Sequence, residues 1–571
     1  MRTAFLCLFA GCFATVLKGQ TLYVSPDGGS ETFSQLEPGS LKQLPQKIRH
    51  IRQQKQQPIV IYLKGGIYPM DQPLQLHWET DPRDSSIVLL ASAPKERAVL
   101  SGGIVISNWT AASKGIYTAR VPAGLSFRQL YVDGQLAVRA RYPNRINDTD
   151  LGPYFRVARF DVPGQQVITA GKEIPVLTSY QGVEMVMNQH WYQSRVRIAG
   201  VERRKDSAVL RFREPEAPIF WGMTSFNMHL PDKPYYLENH LNFVDTANEW
   251  FLDEPTATLY YKPGPGRDIG QLSIVVPVLE TLLQVGGSGA RPLRNLTIQN
   301  IDFMYSSWLM PSRGGSIATQ AAQQRQREDS SGTGLVQVQF ASNLRIIGCR
   351  FAGAGAHGLV FSKGVQNSIV SGNHFEQISA NGMVIDTDKK PFQPDSIHCT
   401  RNKISDNLIE AVGLHYTNGM GILASNVSRH TIEYNEIRNS RYMGMQIGNH
   451  YGDNLSRLRD NIIRHNNIHQ VMLLHDDGGA IYTLSNQPGT KILRNWIHDY
   501  GKSIWADSYP VNGIFLDNNS SYIQVQDNVF SKLKMVDQLK ENTGTTVHDN
   551  IFINNTSQDP EVKEQAGIRK R

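Results

Sequence analysis

From Asn295 onward the apolar residues recur in short runs of three or four, separated by glycine, asparagine and other polar residues. One register repeats a small or polar residue, any residue, then Ile or Phe. It runs Cys349-Arg350-Phe351, Asn373-His374-Phe375, Asn407-Leu408-Ile409, Asn435-Glu436-Ile437, Asn466-Asn467-Ile468, Asn495-Trp496-Ile497, Asn528-Val529-Phe530 and Asn550-Ile551-Phe552, at spacings of 24, 34, 28, 31, 29, 33 and 22 residues. A repeat of this length is the signature of a solenoid, with the longer spacings absorbing loop insertions. Stacked Asn side chains can hydrogen-bond from coil to coil, and the Ile or Phe two residues on fills the interior. A second register opens short strands at Gly358, Gly382, Gly421, Gly444, Gly479 and Gly513. Two strand registers per coil with Asn at one corner predict an all-β chain, a right-handed parallel β-helix. Neither the spaced leucines of a leucine-rich repeat nor the paired hairpins of a propeller are present.

The remainder divides by pattern. Residues 21–119 read as an N-terminal cap and the first coils: TLYVSPDGGS, a helix around Leu41 to Gln54, then PIVIYLKGGIYPM. A helix there suits the open end of a solenoid, which must be covered. Residues 120–290 lose the repeat and alternate apolar and polar positions, as in RQLYVDGQLAVRARYP and EWFLDEPTATLYYKP, with hairpin signals such as Val132-Asp133-Gly134. This predicts an inserted antiparallel β domain. Its His190-Trp191-Tyr192 and Arg195 suggest that it folds back to wall a cleft on the coils. Residues 291–557 form the main β-helix, residues 314–334 read as an exposed polar loop, and residues 558–571 as a charged, flexible tail.

Composition narrows the setting. With 40% hydrophobic and 19% charged residues, the chain is neither disordered, collagenous nor coiled coil. The net charge of +7 is spread over 571 residues and reads as a solvated surface, so no nucleic-acid partner is expected. Residues 1–20 carry Arg2 and an apolar run from Ala4 to Leu17, the form of a secretory signal peptide. The chain is therefore expected to be exported, to the periplasm or beyond. Phe9-Ala10-Gly11-Cys12 faintly resembles a lipoprotein box, but the apolar run continues past Cys12. No second long apolar stretch follows, so no integral membrane segment is predicted. Beyond the signal only Cys349 and Cys399 remain, which make neither a disulfide framework nor a zinc motif. No metal or cofactor is expected, and the sequence leaves the oligomeric state open.

Candidate chemistry concentrates in two consecutive coils. His475-Asp476-Asp477-Gly478-Gly479-Ala480-Ile481-Tyr482-Thr483 is followed by Asn512-Gly513-Ile514-Phe515-Leu516-Asp517-Asn518. Two carboxyls on facing positions can act as acid and base, or as acid and nucleophile, on a glycosidic bond. Either aspartate can equally be a turn residue. Aligning the glycines puts Thr483 beside Asp517. If residues 477–483 are extended, Asp477 and Asp517 stand roughly 20 Å apart at about 3.3 Å per residue. The pair therefore needs a bend across Asp476–Gly479. His450, Tyr482, Trp505, His475, His190 and Trp191 are the candidate substrate-binding side chains around them.

Tyr235-Tyr236-Leu237-Glu238-Asn239, Asp245 through Asp253, and Thr258-Leu259-Tyr260-Tyr261-Lys262-Pro263 resemble the inserted domain of exported β-helix glycoside hydrolases. With Ser101-Gly102-Gly103, Trp109 and the two Asp-containing runs, the chain resembles glycoside hydrolase family 141 over nearly all of its mature length. The resemblance implies hydrolysis of plant-type polysaccharide, with fucosidase or xylanase activity. Carried across, the catalytic aspartates fall on Asp476 or Asp477 and on Asp517. Two rival readings remain at this stage. A lyase or epimerase would use a basic residue such as Arg441 or His450, and a non-catalytic glycan-binding solenoid would keep the aromatics alone.

Overall fold

The computed structural model describes residues 19–569 apart from 55–56, 82–85, 148–151, 224–228, 325–331, 387–393, 450–456, 502–510, 532–538, 542–546 and 548. Almost all of the signal segment, with Cys12, and the candidates His450 and Trp505 lie outside the described residues.

Each coil contributes three short strands that stack in parallel on their counterparts in the next coil. The first sheet has twelve strands, from Gln20–Val24 to Ile551–Ile553. The second has ten, from Gly66–Pro69 to Val529–Ser531, and the third eleven, from Leu74–His77 to Leu539–Glu541. One inward column shows why these residues stack. Phe303, Phe351, Phe375, Ile409, Ile437, Ile468, Ile497 and Phe530 pair in register along the second sheet, and all are buried. Phe351 and Phe375 lie ring on ring at 4.5 Å. The N-terminal end is closed by the helix Leu44–Gln54, which buries Leu44, Ile48 and Ile51 in the same core. Cys349 and Cys399 are both free and buried.

The corner between the first and second sheets carries the asparagine ladder. Asn373, Asn407, Asn435, Asn466, Asn495 and Asn528 each donate their Nδ2 to the Oδ1 of the next, at 2.9–3.0 Å. Each backbone N–H donates to the same Oδ1. The member after Asn528 is Asn555, not Asn550 as the sequence repeat suggested. Asn550 belongs to the opposite corner, before the first sheet, where it accepts from the Ile523 N–H. There it continues a second, mixed polar file that includes Asn402, His430 and Asn461. Phe552 is accordingly a half-exposed residue at the end of the first-sheet stack rather than an interior one.

The glycine column of the third sheet is also shifted by one residue near its end. Gly358, Gly382, Gly421 and Gly444 align with Ala480 and Gly513, so Gly479 is not a member. A Cβ at Gly444 would stand 2.6 Å from the Ala480 carbonyl oxygen, which explains glycine at that position.

Three further expectations change. The strands from Gly103–Val105 to Ile274–Pro277 leave the coil and form three mainly antiparallel sheets, so the departure starts before residue 120 and closes before residue 290. Ser316 through Gln324, expected in an exposed loop, are mostly buried. Ser316–Ile317 adds antiparallel to the insertion strand Tyr192–Arg203, and Asn381 donates to the Ala321 carbonyl. Glutamines 320, 323 and 324 are buried with at least one hydrogen-bond partner for each amide. Residues 558–569 of the C-terminal tail, expected to be flexible, are packed onto the coils. Asp559 caps the helix Pro560–Gln565, Val562 is fully buried, and Arg569 forks onto Asp406.

Asn435→Ala removes an acceptor of two bonds and a donor to Asn466 and the Ile404 carbonyl inside this ladder. We expect a loss of about 3 kcal/mol in urea unfolding, because several buried groups are left without partners.

His430 accepts from Asn402 and donates to the Ser428 carbonyl, and burial pushes its pKa down to about 4 from 6.5. The unfolded chain therefore takes up the proton first. Its share of stability is complete above about pH 6.5 and is lost as pH falls toward 4, up to about 3 kcal/mol. His430→Asn, matching Asn402 and Asn461 at the same corner, should flatten that part of the stability–pH profile.

Candidate active site

The strand Gly478–Thr483 of the third sheet sets the geometry. It pairs in parallel with Val511–Leu516, with Ile481 opposite Ile514, Tyr482 opposite Phe515 and Thr483 opposite Leu516. Glycine alignment had placed Thr483 beside Asp517; the actual register differs by one residue. The expected bend is also elsewhere. Asp477 itself adopts a left-handed conformation, φ 55°, while Gly478 and Gly479 are extended and paired. Asp476 and Asp477 thus precede one end of a six-residue extended strand, and Asp517 follows the neighbouring strand at the other end. At about 3.3 Å per residue the two ends are roughly 20 Å apart. The structure does not bring Asp477 and Asp517 face to face, which corrects the expectation of a facing pair.

At the far end Asp517 is almost fully buried. The Tyr482 hydroxyl donates to its Oδ2 at 2.5 Å, and the Asn518 amide lies 3.4 Å from the same oxygen. The Tyr482 ring is 2% exposed and meets Phe515 edge-on at 5.4 Å. It serves Asp517 rather than offering a face to a sugar.

At the near end the insertion meets the coil. The hairpin of Glu184–Gln189 and Tyr192–Arg203 turns through His190 and Trp191. The His190 carbonyl accepts from the Asp476 N–H at 3.2 Å and from His475 Nδ1 at 3.0 Å. A hydrogen-bond chain closes the contact. Gln193 Nε2 donates to Thr417 Oγ1 at 2.9 Å, and Thr417 donates to His475 Nε2 at 2.8 Å. The accepting carbonyl and the donating hydroxyl fix the His475 tautomer with its proton on Nδ1. Burial pushes the His475 pKa down to about 3, so the ring is a neutral positioning group. Lys233 Nζ lies 3.0 Å from His190 Nε2, and His190 Nδ1 lies 4.0 Å from Asp476 Oδ1. Asp476 is wholly buried, whereas Asp477 is half-buried and its carbonyl accepts from the Tyr442 hydroxyl at 2.9 Å. Trp191 packs against both the coil core and the insertion core, as a joint between them.

Beside this contact lies a cleft of about 490 Å³ between insertion and coils. Its wall rests on a buried ion network. Arg128 forks onto Glu184 at 2.6 and 2.8 Å, Arg139 contacts Glu184 and Glu238 at 3.0 and 2.8 Å, and Arg195 bonds Glu238. Burial alone would raise the Glu238 pKa, but Arg195, Arg139 and Arg128 outweigh it and hold the carboxyl at about 2. Arg195 also donates to the His415 carbonyl at 2.6 Å, tying the network to the coil.

Several of these groups escaped sequence reasoning. Thr417, Gln193 and Tyr442 stand on three separate segments and belong to no motif. The buried glutamine strap looked like a solvated loop, although it reaches the site through Gln320 Nε2, 3.4 Å from the Tyr442 hydroxyl. Among the described residues, His374, Glu376 and Glu410 are spaced to hold a metal ion. They lie on the outer face of the second sheet, where Arg350 and Arg438 already engage both carboxylates.

Residues 116–264 match the family described as GH141 insertion domain, and residues 392–569 that described as right handed beta helix region. No curated protein matches the chain. A solved glycoside hydrolase is 26% identical with a TM-score of 0.84, covering 96% of this chain and 99% of that one. XylC in complex with xylose follows at 10% identity and TM-score 0.45, covering 95% and 87%. The pectate lyase Pel9A stands at 8% identity and TM-score 0.36, covering 95% and 78%.

Glu238→Gln should cost about 3–5 kcal/mol, because it leaves Arg139 and Arg195 buried without their shared counter-charge. Thermal unfolding should show the loss, and proteolysis should cut within the insertion first.

Proposed function

We propose that this chain, a family 141-like glycoside hydrolase, cleaves plant-type polysaccharide or its oligosaccharides at the near end of the strand Gly478–Thr483. Fucoside and xyloside linkages are the first to test. The secretory form of residues 1–20 supports an exported enzyme, and no helix among the described residues is long and apolar enough to cross a membrane. The observation that carries the reading is the seating of the insertion hairpin on His475 and Asp476 beside the cleft.

Hydrolysis needs two carboxyls about 5–5.5 Å apart for retention, or about 6.5–9.5 Å apart for inversion. The extended strand puts Asp517 outside both ranges relative to Asp477. Consecutive Cα atoms are only about 3.8 Å apart, so Asp476 and Asp477 fall within reach of these ranges. In this reading Asp477, the half-buried one, faces the substrate as nucleophile or base. Asp476, under His190, supplies the proton. Asp517, held by Tyr482, fixes the other end of the groove, where it orients a further sugar unit.

Asn substitutions separate the roles. Asp477→Asn and Asp476→Asn should each lower kcat at least a hundredfold on a cleavable oligosaccharide, with folding unchanged by circular dichroism. Asp517→Asn should mainly raise KM. Full turnover in Asp477→Asn, or a kcat loss confined to Asp517→Asn, would move the chemistry to the far end.

A further inference from the structure

The cleft beside Asp476 is lined by five arginines, Arg139, Arg141, Arg145, Arg195 and Arg441, against a single carboxylate, Glu238. Glu238 is already engaged by Arg139 and Arg195. Arg141 is different. It is 5% exposed, and no carboxylate among the described residues lies within ion-pair distance of it. Its guanidinium lies 3.7 Å from the Tyr236 ring centroid. Its hydrogen bonds go to main-chain carbonyls, that of Pro143 at 3.0 Å and that of Pro153 at 3.5 Å.

A buried cation is costly unless an anion meets it. Burial indeed pulls the Arg141 pKa below its ordinary value. Stacking on Tyr236 and two carbonyls hold the planar fork in place, which is how a site is preorganised for a bidentate anion. The neighbouring lining groups include the amides of Gln377, Asn439 and Asn248, which suit sugar hydroxyls. The cleft is also coupled to the carboxylates. Thr417 lines it and bonds His475, and the carbonyl of Arg441, another lining residue, accepts from the Leu474 N–H at 2.8 Å.

We propose that this cleft is a subsite for an acidic sugar, with Arg141 receiving the carboxylate of a uronic acid unit next to the bond that is cut. The inference rests on the hydrolase reading for its place in the substrate, but not for its chemistry. The substrate is then a polymer or side chain in which uronate adjoins the scissile linkage. A sulfate ester presents related anionic chemistry, and the test separates it.

Binding is measured by calorimetry on the full chain without turnover, using D-galacturonate, D-glucuronate, methyl galacturonate ester, D-galactose and galactose 6-sulfate. At least one uronate should bind ten or more times tighter than the ester and the neutral sugar. Its affinity should fall with added salt, while neutral-sugar binding does not. Arg141→Gln should erase the preference, and Arg141→Lys should keep part of it, because the charge stays while the fork is lost. If Arg141→Gln does not fold, the salt dependence and the acid-to-ester ratio of the unaltered chain decide alone. Equal binding of uronate, ester and galactose overturns the subsite, and tighter binding of the sulfated sugar overturns the assignment to uronate. Loss of the hydrolase reading looks different. Uronate preference would persist, while digestion of an acidic oligosaccharide gave no reducing ends or an unsaturated, ultraviolet-absorbing product.

Discussion

Parallel stacking of one coil on the next is the constraint from which the rest follows. Coils lie about 4.8 Å apart, so each side chain has a fixed neighbour above and below. An interior position must then be filled by a column of similar residues, as from Phe303 to Phe530. A polar position must be a file whose members satisfy one another. The Asn373–Asn528 ladder does this with two bonds to each Oδ1, leaving no buried amide group open at the corner. Where a carbonyl of the next coil crowds the Cβ position, only glycine fits, as at Gly444 against Ala480.

Such a ladder is regular, and regularity alone makes no pocket. The pocket comes from interruptions. The insertion has its own apolar core, and buried polar groups join it to the coils alongside the shared Trp191. Buried ion pairs add little net stability but are strict about geometry, since a misplaced partner leaves a charge unpaired in low dielectric. The Arg128, Arg139, Arg195, Glu184 and Glu238 network therefore fixes the angle at which the hairpin tip reaches His475 and Asp476. The strap from Ser316 to Gln324 adds a strand to the same wall and reaches Tyr442 across the third sheet.

The carboxylates inherit the rigidity of the ladder. An extended strand holds its two ends apart, so groups before and after it stand at different places across the sheet. The near end collects the insertion, the cleft and the two consecutive aspartates. The far end has Asp517 locked to Tyr482. A polymer laid along the third sheet would meet both.

The repeat made the fold legible without coordinates. Asn, Ile and Phe at coil spacing announce stacking because each type has one physical use in a stack. The same logic failed wherever one residue of register mattered. Gly479 and Asn550 match the pattern in type, yet Ala480 and Asn555 occupy the positions. A one-residue slip cannot be read from spacings that loops already vary. Composition misled over 314–334 and the tail, because glutamine and charge look solvated until partners such as Tyr442 and Asp406 are known. The Asp-Asp-Gly-Gly run and the Asp517 run were visible in sequence as places where carboxylates gather. How far apart they stand was decided by tertiary structure, since an extended strand parts them and a hairpin from 285 residues upstream seats at one end.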